Sequence, residues 1–419
     1  MKILILHRVP YFKIEYHRGI DHVLHDVTYF GTRDALATLP PGLRCTQVER
    51  PGERSTFEEA CTWLDGAPQD FDRVISMSEY ELLDAAQLRE RLGVDGAPVD
   101  QVMLSRDKVL MKSAVEQAGV RVPRFMPLTA FIDAGGTTPW SGATVLKPHR
   151  GASSVDVVVF DDQTQAYEAV AGKRSGVAEL DGAEAALSDY QVEEFVDGRI
   201  RHFDGLIEQG KVLVLGASEY VGTCLEYAQG TPMGSFQIEC SDETRAWVGR
   251  ALDAVQIRNG SFHLEAIVHR GELVFLEVGN RVGGADVAAT FELATGVHLP
   301  SCELRILLGE PVTDSLSAAP EDRSWYGWFV YPGHHLSGRT FEGFDGADAF
   351  RTSPETVTWH ELPLGKPLPD HITYGAGETA LAGIAVTDSP QETRSWMVRL
   401  FESLRIRTSV PAVPDMAAR

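Results

Sequence analysis

Two glutamates, Glu265 in SFHLEAIV and Glu277 in ELVFLEV, lie on either side of His269-Arg270-Gly271-Glu272, which reads as a hairpin turn. Cross-strand neighbours in an antiparallel hairpin point to the same face. An odd loop pairing His269 with Leu273 aligns the two carboxylates, each at the strand end away from the turn. Adjacent carboxylates repel one another unless a cation lies between them. An oxygen-only donor set favours Mg²⁺ or Mn²⁺ over zinc. The alternative, one Glu on a solvated face, sits poorly with the apolar flanks of both strands. The second strand runs on as FLEVGNRVGGAD, bringing Asn280, Arg281, Gly283, Gly284 and Asp286. A buried guanidinium needs a partner, because desolvating an ion costs several kcal/mol.

Cations occur upstream. Lys147 ends the apolar run ATVL and precedes Pro148 and the small-residue loop Gly151-Ala152-Ser153-Ser154. A lysine so placed can hold phosphate oxygens while backbone N–H groups and hydroxyls fold over them; the same pattern also occurs as an ordinary turn. Lys108 falls in the first turn of the helix expected from SRDKVLMKSAVEQAGVRVP (105–123). Ser105 reads as its N-cap, Asp107 suits its first turn, and Gly119 with Pro123 ends it. A lysine at a helix N-terminus opposes the dipole and makes sense when it reaches a bound anion. QVEEFVDG (191–198) by itself reads as an edge strand and turn.

The elements that must position these residues are mixed. KILIL, RVISM (73–77) and the helical EYELLDAAQLRERL (79–92) predict an α/β segment at the start. ATVLKP, VDVVVF and YQVEEFV follow as short strands, then IRHFDGLI and KVLVLGASEY. WYGWFVYP and TALAGIAV predict further strands near the end, with a helix at 390–404. With 419 residues and 43% hydrophobic content, the chain predicts a globular protein of several domains. A net charge of −22 argues against nucleic-acid binding and against a basic membrane-surface protein. The five scattered cysteines form no CxxC pair, which predicts reduced thiols and a cytoplasmic protein. The MKILIL start is too short for a signal-peptide core, and no run reaches membrane-span length.

Taken in order, SRDKVLMKSAVEQAGVRVP, VLKPHRGASS, VEEFVDG and FHLEAIV…FLEVGNRVGG resemble the ATP-grasp superfamily over about residues 103–310. The wording of the last pair is similar to the bacterial L-amino acid ligases, or dipeptide synthetases, of natural-product pathways. The resemblance implies an α/β (α+β) fold: an N-terminal α/β domain (1–102), then a two-lobed ATP-grasp fold with a phosphate-loop lobe (103–195) and a metal-bearing catalytic lobe (196–310). A strand-rich C-terminal region (311–419), associated with substrate, completes it. The family implies ATP with Mg²⁺ or Mn²⁺, carboxylate and amine substrates (amino acids), and a homodimer.

By resemblance, Lys108 and Lys147 bind phosphate and Gly151, Ser153 and Ser154 belong to the closing loop. Glu193, with the backbone of Glu194 and Val196, recognises adenine. Glu265 and Glu277 hold the metal, Arg281 is the catalytic arginine, and Gly283 and Gly284 let backbone approach the substrate. The family often places a third metal ligand, Asn, two residues after the second Glu. Here Gly279 stands there and Asn280 one later; Ile200 stands where an acidic ribose contact often lies.

The activity so implied is ADP-forming amide-bond formation through an acylphosphate. A ligase acting on a non-amino-acid carboxylate (purine-pathway or peptide-tailoring type) and a non-catalytic ATP-binding regulator are the rival readings. Stretches 219–230 and 325–335, with His334 and His335, read either as a substrate pocket or as core and surface turn. Asp286 is either a contact to a substrate amine or a helix cap. His22 and His25 have near-metal spacing without a third ligand.

Overall fold

The computed structural model describes residues 1–151, 154–312, 316 and 324–410. The apolar run KILIL becomes strand β1 (Lys2–Leu6), buried from Ile3 to Leu6 as a central parallel strand requires. It lies between β2 (Asp26–Gly31) and β4 (Arg73–Ser76), with β3 (Thr46–Glu49) at the edge beside β2. A second four-stranded sheet holds β5 (Phe125–Pro127), β6 (Thr144–Pro148), β7 (Val158–Phe160) and β8 (Tyr190–Glu194), in the order β5-β8-β6-β7.

The third sheet is the largest. It is built from β9 (Arg199–Glu208), β10 (Lys211–Val221), β11 (Met233–Ile238), β12 (Gly260–His269), β13 (Glu272–Gly279) and β14 (Trp325–Tyr331). After β15 (Thr340–Asp345), strands β16 (Thr356–Glu361) and β17 (Leu381–Thr387) join it, giving the order β13-β12-β9-β10-β11-β14-β17-β16. Every pair in it is antiparallel. β15 pairs instead with β18 (Arg405–Ser409). The large sheet thus crosses residue 310, and strands of the last hundred residues extend the one that carries Glu265 and Glu277.

Period-two alternation, reset once in β13 where Leu276 is the unpaired residue of a bulge, gives this sheet two different faces. Phe203, Phe262, Leu264, Phe275 and Val278 pack with Met111 and Val115 of helix Lys108–Gln117 and with Trp247 and Leu252 of helix Asp242–Ala254. The other face is left for His202, Asp204, His263, Glu265 and Glu277. Burying one face apolar therefore presents the polar set together on the other.

Two local expectations are corrected. Ser105 is not the N-cap: residues Val99–Arg106 already form a helix. The chain breaks at Asp107, whose carboxylate accepts from the N–H groups of Val109 (2.9 Å) and Leu110 (3.1 Å). The β12–β13 turn is also shorter than expected. His269 pairs with Glu272 across Arg270 and Gly271, which take φ of 51° and 87°, as a two-residue type I′ turn demands. That register alone would set Glu265 opposite Leu276. A bulge in β13 opposite the Glu265–Ala266 step, with Leu276 as the extra residue, sets Glu265 opposite Glu277. Among the described residues no helix is long and apolar enough to cross a membrane. All five cysteines are free thiols.

Candidate active site

A cavity of about 400 Å³ is lined by β6, β8, β12 and β13 and by the segment Thr223–Glu226. Glu265 and Glu277, direct partners in the ladder, lie in its wall. Lys108, at the first position of its helix, puts Nζ 3.3 Å from Glu277 Oε2 and donates to the Gly151 carbonyl at 3.1 Å. It therefore ties the carboxylate pair to the start of the loop. Gly151 and Ser154 line the cavity; Ser153, with Ala152, lies outside the described residues. Lys147 is buried at the end of β6, its Nζ 2.7 Å from Glu193 Oε1.

Glu193 also lines the cavity. Its carboxylate is spent on Lys147 and on Lys112, a fully buried lysine one helical turn beyond Lys108. Three lysine amines gathered in a buried site need counter-charge, which Glu193 and Glu277 supply; burial, then the neighbouring Lys147, push Lys112 well below its ordinary value. The sequence reading missed Lys112; its signal was spacing, since i and i+4 share a helix face. Glu194 and Val196 line the same cavity beside Phe195, Val145, Val159, Leu225, Ile267 and Leu276, an apolar slot of the kind that accepts a flat ring. The Glu194 N–H is already given to the Arg124 carbonyl at 2.8 Å. Ile200 lines the slot as well.

Burial pushes the Glu277 carboxyl up, but Lys108, Lys147 and Lys112 outweigh it and hold it down at about 2. Burial pushes Lys147 down to about 8, against the pull of Glu277. Both groups thus carry charge at neutral pH. The oxygen-only pair Glu265 and Glu277, in a wall otherwise furnished with cations, fits a hard divalent ion.

Arg281 gives Nε–H to Glu79 Oε2 at 2.6 Å and an NH1 proton to the Val282 carbonyl at 2.8 Å. Glu79 also pairs with Arg106. Burial opposes the Glu79 charge, yet Arg281 and Arg106 lower its pKa. Asn280 does not join the carboxylates. It stands one residue beyond Gly279, out of step with Glu265 and Glu277, and its amide donates to the carbonyls of Asn259 (3.2 Å) and Ser261 (2.8 Å).

Gly283 leaves no room for a side chain: a Cβ there would lie 2.8 Å from Asp204 Oδ1 and 2.9 Å from His263 Nδ1. What it approaches closely is therefore this buried pair together with Val287, whose Cγ1 would lie 2.7 Å from that Cβ. Gly284 faces open space. Asp286 occupies the N-cap position of helix Val287–Thr295 without a capping hydrogen bond, and burial raises its pKa. Tyr220 and Tyr227 of the 219–230 stretch cluster with Trp328 and Val330 of the 325–335 stretch. His334 bonds to the Ala228 carbonyl at 3.0 Å. His22 is bound to Ile20 and Tyr29, while His25 lies 3.3 Å from Glu310, so they form no common site.

Glu79, Asp204, His202, His263 and Tyr220 were also missed by sequence reasoning. For His202, Asp204 and His263 the signal available was the i, i+2 spacing in HFD and HLE, which puts each pair on one strand face. As assembled, Glu193, Glu265, Glu277, Lys108 and Lys147 line one cavity, Lys112 is buried against Glu193, and Arg281 lines a small second cleft that shares Lys108 and Glu277. Such a set can hold a polyphosphate with its divalent cation.

Residues 141–289 match the family described as the ATP-grasp domain. The chain is 25% identical over 247 residues to an L-arginine-specific L-amino acid ligase of Bacillus subtilis, a match covering 56% of this chain and 57% of that protein. It thus spans little more than half the length of this curated relative. An L-amino acid ligase of Bacillus licheniformis superposes with a TM-score of 0.70 at 22% identity, over 97% of this chain and 98% of its own. A phosphoribosylglycinamide synthetase of Anaerococcus prevotii gives 0.65 at 13% identity, over 97% and 99%.

Proposed function

We propose that this ATP-grasp protein is an ADP-forming carboxylate–amine ligase that joins amino acids through an acylphosphate. The observation that carries the proposal is the convergence of Glu265, Glu277, Lys108 and Lys147 from separate stretches of chain on one cavity, with Arg281 in a small second cleft that shares Lys108 and Glu277. Likeness to the L-arginine-specific ligase supports amino acids as substrates.

A carboxylate is inert to amines because its oxygen is a poor leaving group. In the proposed reaction a substrate carboxylate oxygen attacks the γ-phosphorus of ATP, the bond to the bridging oxygen breaks, and ADP leaves. The amine nitrogen then attacks the acyl carbon, phosphate leaves, and the amine gives up a proton as the amide forms. Magnesium bound by Glu265 and Glu277 supplies charge neutralisation on the phosphate oxygens. Lys108 and Lys147 hold those oxygens, which draws Lys147 away from Glu193 while Lys112 keeps Glu193 paired. Arg281, steadied by Glu79, faces the charge that develops on the transferred group. The Gly151–Ser154 loop limits the access of water to the acylphosphate.

The test is phosphate release from Mg·ATP against pooled amino-acid pairs, with products read by mass spectrometry. The expected product mass is two amino acids less water, and Glu277→Gln or Arg281→Ala should lower turnover about 100-fold or more. A product formed only from a non-amino-acid carboxylate or a phosphoribosylated amine would favour the purine-type reading, which rests on fold likeness. Nucleotide binding without turnover on either substrate set would favour the regulator.

A further inference from the structure

We propose that His263 and Tyr220 are positioning residues that fix Glu265 with one carboxylate oxygen turned to the metal, and that Asp204 in turn sets the ring of His263. The proposal rests on the metal–nucleotide reading of Glu265 and Glu277 given above.

The register makes the arrangement. β12 and β9 pair His263 with Asp204 and Glu265 with His202, so these four side chains form a block on one sheet face. Asp204 Oδ1 accepts from His263 Nδ1 at 2.7 Å and Oδ2 from His202 Nδ1 at 2.5 Å. His202 Nε2 lies 2.6 Å from Ser235 Oγ. Held in this way, His263 presents Nε2 to Glu265 Oε1 at 3.4 Å. Tyr220 donates its hydroxyl to the same oxygen at 2.7 Å. Glu265 Oε1 therefore has two protein neighbours, and Oε2 is the oxygen left for a metal. Asp204 and His202 are buried and lie outside the lining of the cavity that holds Glu265 and Glu277; they line a second cavity of about 220 Å³. Gly283 completes the device, since any Cβ there would press on both Asp204 and His263.

His202, Asp204 and His263 also have the composition of a metal site. The lengths speak for hydrogen bonds. Each Asp204 oxygen takes a different imidazole N–H, and a ring nitrogen that carries a proton is no ligand. Partners that orient a metal's ligands typically contribute about 10–100-fold in metal affinity.

The experiment measures ADP affinity by calorimetry, once with Mn²⁺ and once with EDTA; their ratio is the metal's contribution. His263→Ala and Tyr220→Phe should each cut this ratio about tenfold or more while leaving ADP affinity in EDTA unchanged. If His263→Ala does not fold, as judged by thermal unfolding, Tyr220→Phe carries the test, since it removes a single oxygen. Should Glu265→Gln lose the metal's contribution while both variants keep it, the positioning role is wrong and the metal reading stands. A Glu265→Gln variant that keeps the full contribution overturns both. Stoichiometric zinc in the purified protein, lost in His202→Ala, would also overturn the proposal, because the imidazoles would then be ligands.

Discussion

Glu303 shows how far a single environment moves a single group. On helix Leu299–Leu308 it is 3% exposed, and burial pushes its carboxyl up to about 8 against hydrogen bonding from Ser261. The unfolded chain loses this proton near pH 4.5, whereas the folded chain keeps it until about pH 8. The folded state therefore binds the extra proton within that window, and stability falls as pH rises through it. Glu303→Gln should flatten this slope. The variant should gain a few kcal/mol on wild type between pH 5 and pH 8, from about 1.4 kcal/mol per pH unit, in urea unfolding at the two pH values. Glu79 makes a different prediction. It is the shared partner of Arg281 and Arg106, and both pairs are mostly buried. Glu79→Ala strands two guanidinium groups, so it should cost about 2–3 kcal/mol in unfolding, somewhat below the range for fully buried pairs. It should also lower kcat more than it weakens ADP binding, because Arg281 is assigned to the reacting phosphate.

At the scale of elements, the β12–β13 hairpin shows where pattern reading succeeds and where it slips. The apolar runs gave the strands, and the parity of Glu265 and Glu277 gave a shared face, which the ladder confirms. The route differs: a two-residue turn and a bulge replace the odd loop. Bulges are set by how a strand twists to meet its neighbours, which periodicity does not encode. Glycines after the hairpin give an element-scale prediction. Gly283→Ala would drive a Cβ within 2.9 Å of the Asp204–His263 pair, whereas a Cβ at Gly284 meets nothing within 4 Å. The first substitution should reduce turnover about tenfold or more, by the same loss of ligand orientation. The second should leave it near wild type. Equal loss in both would show that the loop, and not the buried pair, is what the glycines serve.

For the whole molecule, the cavity lies between the sheet of β5–β8 and the large sheet, while Glu79, from the segment after β4, meets Arg281 in a small second cleft. A nucleotide bound there engages side chains from both sheets, and so favours the folded state by mass action. At a concentration 100 times its dissociation constant, Mg·ADP should stabilise by about 2.7 kcal/mol. For a chain of this length that corresponds to about 3 °C in Tm, at roughly 2 cal/mol/K per residue. Lys147→Ala should abolish most of the shift in a thermal scan, since it loses a cation assigned to the phosphates. A full shift in that variant would place the nucleotide elsewhere.

The sequence by itself determined what depends on neighbours along the chain. Strand and helix runs, the hairpin, the lysine before a small-residue loop and the two glutamates in step all follow from local periodicity and turn chemistry. Four motifs in order then made the resemblance legible. Only the tertiary structure decided which charges meet: Glu79 with Arg281, 202 residues apart, and Glu193 with Lys112, 81 apart. It also decided that Asn280 turns to backbone carbonyls and that His263 stands between Asp204 and Glu265. The physical reason is that a buried ion must find its counter-charge wherever packing brings one, and packing joins residues whose separation in sequence carries no signal.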